Sequence, residues 1–89
     1  MPQAVGDPDE LMKFANMLAQ YISTLETETG NLAGGFANLG DTWQDEKRAA
    51  FQEQFEALMA QIAAFKTSCE EQIPYLQNLA ERLREYLNS

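Results

Sequence analysis

Carboxylates are the most numerous side chains in this sequence that could take part in acid–base chemistry. The chain has 14 Asp+Glu and one cysteine, and it contains no histidine, the commonest general base and a frequent metal ligand. The adjacent pairs Glu70–Glu71 and Asp45–Glu46 have the composition of a solvated helix surface. We therefore expect no catalytic residue, no cofactor and no metal site, and a protein that is not an enzyme.

The single thiol lies on an apolar seam. Cys69 follows Ile62 and Phe65 at helical spacing and precedes Leu76. A free cysteine in such surroundings packs as a small hydrophobe. A symmetric disulfide across a dimer is the alternative interpretation.

Net charge limits the classes of partner. The chain has 6 Lys+Arg against 14 Asp+Glu, a formal charge of -8, which disfavours nucleic acid and anionic lipid. The opening residues MPQAVGDPDE have neither the basic region nor the apolar region of a conventional signal peptide. No apolar run approaches the roughly 20 residues of a membrane span, so we expect no stable membrane insertion.

Heptad spacing predicts that these side chains lie on two long helices. Asp7, Pro8 and Asp9 favour a helix start. Apolar residues then recur at three- and four-residue steps, which indicates helices packed on helices. We predict a helix over about 8–39, a turn over about 40–45 and a helix over about 46–87. The seam residues expected to pack are Leu11, Phe14, Leu18, Ile22, Leu25, Phe55, Leu58, Ile62 and Phe65.

Two helices joined by a short turn must run antiparallel, so the predicted fold class is all-α, a single helical-hairpin domain over 1–89. We expect two hairpins to pair into a four-helix bundle, because two helices alone cannot cover two apolar seams. A second seam is suggested by small and apolar residues beside the first. These are Met12, Ala15, Ala19, Ile22, Ala50, Ala57, Ala60 and Ala64, although alanine also has a high helix propensity of its own.

Glycines and one proline interrupt the helical pattern. Gly30, Gly34 and Gly35 are expected to weaken the end of the first helix, or to form a notch where a facing helix comes close. Pro74 is expected to mark the end of tight packing and the start of a mobile C-terminal arm.

The predicted turn holds the only tryptophan. Gly40 suits the end of the first helix, and Thr42 and Asp45 are both suitable caps for the second. Trp43 either closes the end of the helical core or forms an exposed tip for recognition, since tryptophan is enriched in binding hot spots.

These features resemble the WXG family of early-secreted-antigen-like substrates of type VII secretion. Two long helices flank a central tryptophan turn, and the similarity extends over essentially the full length. Trp43 occupies the tryptophan position and Phe51 the aromatic eight residues later. Asp45 stands where the family has glycine, so the recognition motif becomes Gly40, Trp43, Asp45 and Phe51.

The resemblance implies a non-enzymatic secreted protein or secretion adaptor that leaves the cell without a cleaved signal peptide. It implies a homodimer or a heterodimer with a related hairpin, and a secretion ATPase or cognate effector as further partners. The family's Tyr-X-X-X-Asp/Glu export signal is missing, because Leu79 comes four residues after Tyr75. A partner chain supplies the signal, the sequence is truncated, or the protein is a relative that is not exported. A cytoplasmic structural or regulatory hairpin is therefore the alternative, and a lipid-contacting amphipathic protein is disfavoured by charge.

Overall fold

Two helices account for nearly all of the protein that the computed structural model describes, residues 6–88. Helix α1 runs over Pro8–Leu39 and helix α2 over Glu46–Asn88, with no strand among the described residues. The molecule measures 66 × 18 × 17 Å, close to the length of a 43-residue helix at about 1.5 Å per residue. The predicted all-α hairpin is confirmed.

Helix α1 begins at a built N-terminal cap. The side chain of Asp7 accepts a hydrogen bond from the backbone N–H of Asp9 at 2.9 Å, which satisfies one of the free donors at a helix start. Pro8 occupies the first turn, where its missing N–H costs nothing. Asp9 and Glu10 place negative charge at the positive end of the helix dipole.

The core between the helices is one thin layer. Ala15 and Ala80 are almost completely buried, with exposed fractions of 0% and 1%. The other buried residues described are Ile22, Phe55 and Cys69. A core this narrow covers only one side of each helix, so most of the large side chains remain outside it.

Two ion pairs join the helices along the polar side of the hairpin. Lys66 on α2 lies 3.2 Å from Glu26 on α1 and 3.1 Å from Glu70 on its own helix. Hydrogen bonds to Glu70 and then to Glu26 raise the pKa of the Lys66 ammonium above its ordinary value. Near the helix ends, Arg84 lies 2.9 Å from Asp9. These links confirm that the start of α1 lies beside the end of α2.

Packing continues past Pro74, so the prediction that it ends there is wrong. Helix α2 is unbroken through Pro74, and both the buried Ala80 and the ion-paired Arg84 lie beyond it. The reason is the side of the helix on which the proline lies. Pro74 is exposed, so its ring and its missing N–H face away from α1 and leave the packed side intact.

Candidate functional site

The turn between the helices is closed by backbone hydrogen bonds onto the end of α1. The N–H of Gly40 donates to the carbonyl of Ala37 at 3.0 Å, and the N–H of Trp43 donates to the carbonyl of Leu39 at 2.7 Å. Gly40 has a φ of -58°, which any residue can adopt. Its glycine matters for space, because a Cβ there would lie 3.0 Å from the Arg48 guanidinium and 3.1 Å from the Ala37 carbonyl oxygen.

Asp45 is the cap of α2, and one of its oxygens accepts three hydrogen bonds. The backbone N–H groups of Lys47 and Arg48 donate to Oδ1 at 3.0 and 3.2 Å. The indole Nε1 of Trp43 donates to the same oxygen at 3.0 Å. The carboxylate therefore satisfies the helix start and fixes the tryptophan ring at once. Thr42, the other predicted cap, is exposed, and its backbone N–H donates a hydrogen bond to the carbonyl of Leu39.

Trp43 covers one edge of an aromatic cluster at the tip of the hairpin. Phe36 stacks on Phe55 with ring centroids 4.7 Å apart, and its centroid is 5.8 Å from that of Phe51. The Trp43 ring lies 6.0 Å from Phe51 and is half-buried. The tryptophan thus packs on the core with one part and leaves another part at the surface. It combines features of both interpretations drawn from the sequence.

Arg48 is a member of this tip that the sequence pattern did not identify. Its guanidinium lies 5.0 Å from the centroid of the Phe36 ring, within the range of a cation–π contact. Its Nε is buried and has no hydrogen-bond partner among the described residues. A charged residue three positions after a helix cap usually faces solvent, so no spacing in the sequence marks it. Arg48 fills the space that Gly40 leaves free.

Large apolar side chains remain uncovered along one side of the hairpin. On α1 and α2 its large side chains recur at heptad-compatible spacing, and the two rows meet where Tyr21 contacts Phe65 edge-on at 6.3 Å. Both rings are about half exposed, at 51% and 49%. We call this the apolar face and define it by Phe14, Tyr21, Leu32, Leu39, Phe51, Leu58, Phe65 and Leu79.

The seam residues named from the sequence divide between this face and the core. Ile22 and Phe55 are buried between the helices. Leu11, Leu18, Leu25 and Ile62 are partly buried beside them, whereas Phe14, Leu58 and Phe65 are exposed. In the turn, Gly40 and Trp43 are half-buried, and Asp45 and Phe51 are exposed.

The alanine-rich second seam is wrong in part. Ala15 and Ile22, which were assigned to it, lie inside the hairpin's own core. The residues Ala50, Ala57, Ala60 and Ala64 are exposed. The small side chain of Ala15 allows α2 to approach closely, so Ala15 belongs to the first seam.

Removing the Asp45 cap should destabilise the start of α2 and release the Trp43 indole from its hydrogen bond. We expect Asp45→Ala to lower the free energy of unfolding by about 1 kcal/mol, the usual effect of losing an N-cap. Because Trp43 is the only tryptophan, its fluorescence reports the lost indole contact directly. Asp45→Asn retains an acceptor oxygen and is the matched control. Unchanged stability and emission in Asp45→Ala would contradict the role of the carboxylate.

Neither helix in the described part of the chain has a segment long and apolar enough to span a membrane. Within residues 6–88, no three acidic or cysteine side chains come together in a cluster that could hold a metal ion. The apolar face and the Trp43 turn both present apolar side chains at the surface, which is suited to binding another protein.

Of the comparisons with known proteins, the one with protein families gives a match. No curated protein and no solved structure matches the chain. A family model described as proteins of 100 residues with WXG matches residues 6–86, which include both helices and the tryptophan turn. The members of that family are small helical hairpins that are generally associated with secretion. On this match, the chain belongs to the WXG100 family.

Proposed function

We propose that this protein is a non-enzymatic substrate or adaptor of type VII secretion that acts by pairing with another helical hairpin. The apolar face is the observation that carries the proposal. Its eight large side chains lie on both helices and are exposed to water. Contiguous apolar surface of this kind marks an interaction site on a soluble protein.

A second hairpin laid on this face would complete a four-helix bundle. Within residues 6–88 the core buries five residues, which is little apolar burial to stabilise a hairpin on its own. Pairing would bury the Tyr21–Phe65 contact and the rows on either side of it. The partner is a second copy or a related hairpin, since such a partner offers a matching row of large side chains.

The Trp43 turn is the proposed recognition element for a cognate effector or a secretion ATPase. Its backbone is closed by four hydrogen bonds onto the last turn of α1, and the indole is tied to Asp45. A turn held in this way loses little conformational freedom on binding. Because Asp45 already accepts the indole N–H, the carbon surface of the ring is what remains for a partner to contact.

Export distinguishes this proposal from the alternative of a cytoplasmic structural or regulatory hairpin. In the native host we expect the full-length chain in the culture medium, without cleavage, and its loss from the medium when the type VII ATPase gene is deleted. A chain retained in the cells of both strains would support the cytoplasmic hairpin instead. A cytosolic enzyme assayed in the medium controls for lysis.

A further inference from the structure

A notch opens in the apolar face close to the tip of the hairpin. It has a volume of about 310 Å³, and Gly35 lies at its edge. Apart from Asn31, its walls are apolar side chains from both helices: Leu32, Phe36, Leu39, Phe51 and Phe55. A Cβ added at Gly35 would meet nothing within 4 Å, so the hairpin itself has no need of glycine there.

Glycine is unfavourable inside a helix, and position 35 lies within α1, four residues before its end at Leu39. Its usual advantage is that it lets another group approach the backbone closely. Since no group of this chain approaches Gly35 in the described residues, the space is available to a side chain from another molecule. The apolar walls favour a large aliphatic or aromatic side chain.

One line of side chains along α1 includes position 35. This line is complementary to the same line on a second α1 that runs antiparallel to it. Phe14, Tyr21, Glu28 and Gly35 follow one another at seven-residue steps, and all four are exposed. A two-fold dimer uses the same patch on both copies. Reversing the row end for end places Phe14 opposite Gly35, a large ring opposite an empty position. It also places the Tyr21 hydroxyl, a donor, opposite the Glu28 carboxylate, an acceptor.

We infer that a second copy of this chain covers the apolar face in this one register, with Phe14 of each copy in the notch at Gly35 of the other. The inference rests on the proposed pairing of hairpins and specifies the partner and its alignment. The tips then lie at opposite ends of the dimer, and α1 packs antiparallel on α1 of the second copy.

One further feature agrees with this register. The midpoint of both pairs falls between residues 24 and 25, near the centre of Pro8–Leu39, so α1 overlaps α1 of the second copy over nearly its whole length.

Cross-linking tests the register directly. In a Cys69→Ala background, Phe14→Cys with Gly35→Cys should give a covalent dimer under mild oxidation, at a concentration where the chain is dimeric. The two cysteines lie 21 residues apart on one helix, about 31 Å, so a bridge within one chain cannot form. Phe14→Cys with Gly34→Cys is the matched control, because position 34 points away from the apolar face, and it should cross-link at least about tenfold more slowly.

Filling the notch tests the same contact without cysteines. Gly35→Leu and Gly34→Leu both place a better helix former in open space, so neither should reduce helix content. Only Gly35→Leu should weaken the dimer, by roughly 10- to 100-fold in Kd from sedimentation equilibrium. Adding Phe14→Ala to Gly35→Leu should restore much of the affinity, because the added leucine then meets the space left by the ring.

The possible outcomes separate this inference from the proposed function. A dimer that cross-links equally through position 34, or that tolerates Gly35→Leu, would overturn the register and leave dimerisation standing. A chain that stays monomeric alone but binds a different hairpin would overturn the second copy as partner. A chain that pairs with no hairpin would overturn the proposed function as well.

Discussion

Replacing Trp43 with alanine should abolish recognition of the turn by the secretion machinery or a cognate effector, while the hairpin stays helical and able to pair. The indole is half-buried and contacts Phe51 at the edge of the tip cluster, so its loss should cost roughly 1–2 kcal/mol, less than for a fully buried ring. The cap on α2 keeps its two backbone hydrogen bonds to Asp45. The measurements are helix content by circular dichroism, mass in solution, and the amount of chain in the medium.

Phe36→Ala provides the control that separates stability from recognition. Phe36 stacks on Phe55 in the same cluster, so its removal should destabilise the tip at least as much as Trp43→Ala does. It leaves the indole and its bond to Asp45 in place, and we expect recognition to survive at temperatures where the variant is folded. If Trp43→Ala proved unfolded, or if Phe36→Ala lost recognition equally, the tryptophan would be a packing residue only.

Introducing a charge at the centre of the apolar face should dissociate the proposed four-helix bundle. Phe65 is half exposed in the hairpin and lies against Tyr21, where a partner would bury it. Phe65→Glu would place an unpaired carboxylate in that interface, which costs several kcal/mol unless the pairing is lost. We expect the Kd of the dimer to rise by at least about 100-fold, equivalent to about 2.7 kcal/mol, measured by light scattering over a concentration series.

The neighbouring position distinguishes the two faces proposed for pairing. Ala64 is exposed and belongs to the alanine row that the sequence suggested as a second seam. Ala64→Glu adds the same charge one residue away, and it should leave the dimer intact. If Ala64→Glu dissociated the dimer and Phe65→Glu did not, the alanine row would be the true interface. Circular dichroism of both variants shows whether each hairpin is still folded.

Asp45 shows how this chain forms the turn without the glycine of the family motif. Its Oδ1 accepts from the indole and from two backbone N–H groups of α2. The motif glycine could provide none of these side-chain contacts. The substitution therefore keeps the turn closed and adds a direct link between the cap and the tryptophan. The sequence identified Asp45 as a cap, but its bond to Trp43 became visible only in the structure.

The sequence alone was enough to predict the helices and the hairpin. Apolar residues at three- and four-residue steps, the cap at Asp7 and the polar turn around Gly40 predicted helices over about 8–39 and 46–87. The observed helices run over Pro8–Leu39 and Glu46–Asn88. These are local properties: hydrogen bonding at a helix start and a period that matches the helix. They do not depend on which neighbour the helix meets.

Only the tertiary structure decided which side of each helix faces the other. Tyr21 and Ile22 are adjacent on one broad apolar stripe, and Ile22 was assigned to both of the seams predicted from the sequence. In the fold Ile22 is buried and Tyr21 faces out against Phe65. A stripe wider than about 100° leaves the rotation of a helix about its axis undetermined, and contact with the second helix fixes it. That rotation also brings Arg48 onto Phe36 and leaves Phe14 exposed, because both depend on where α1 meets α2.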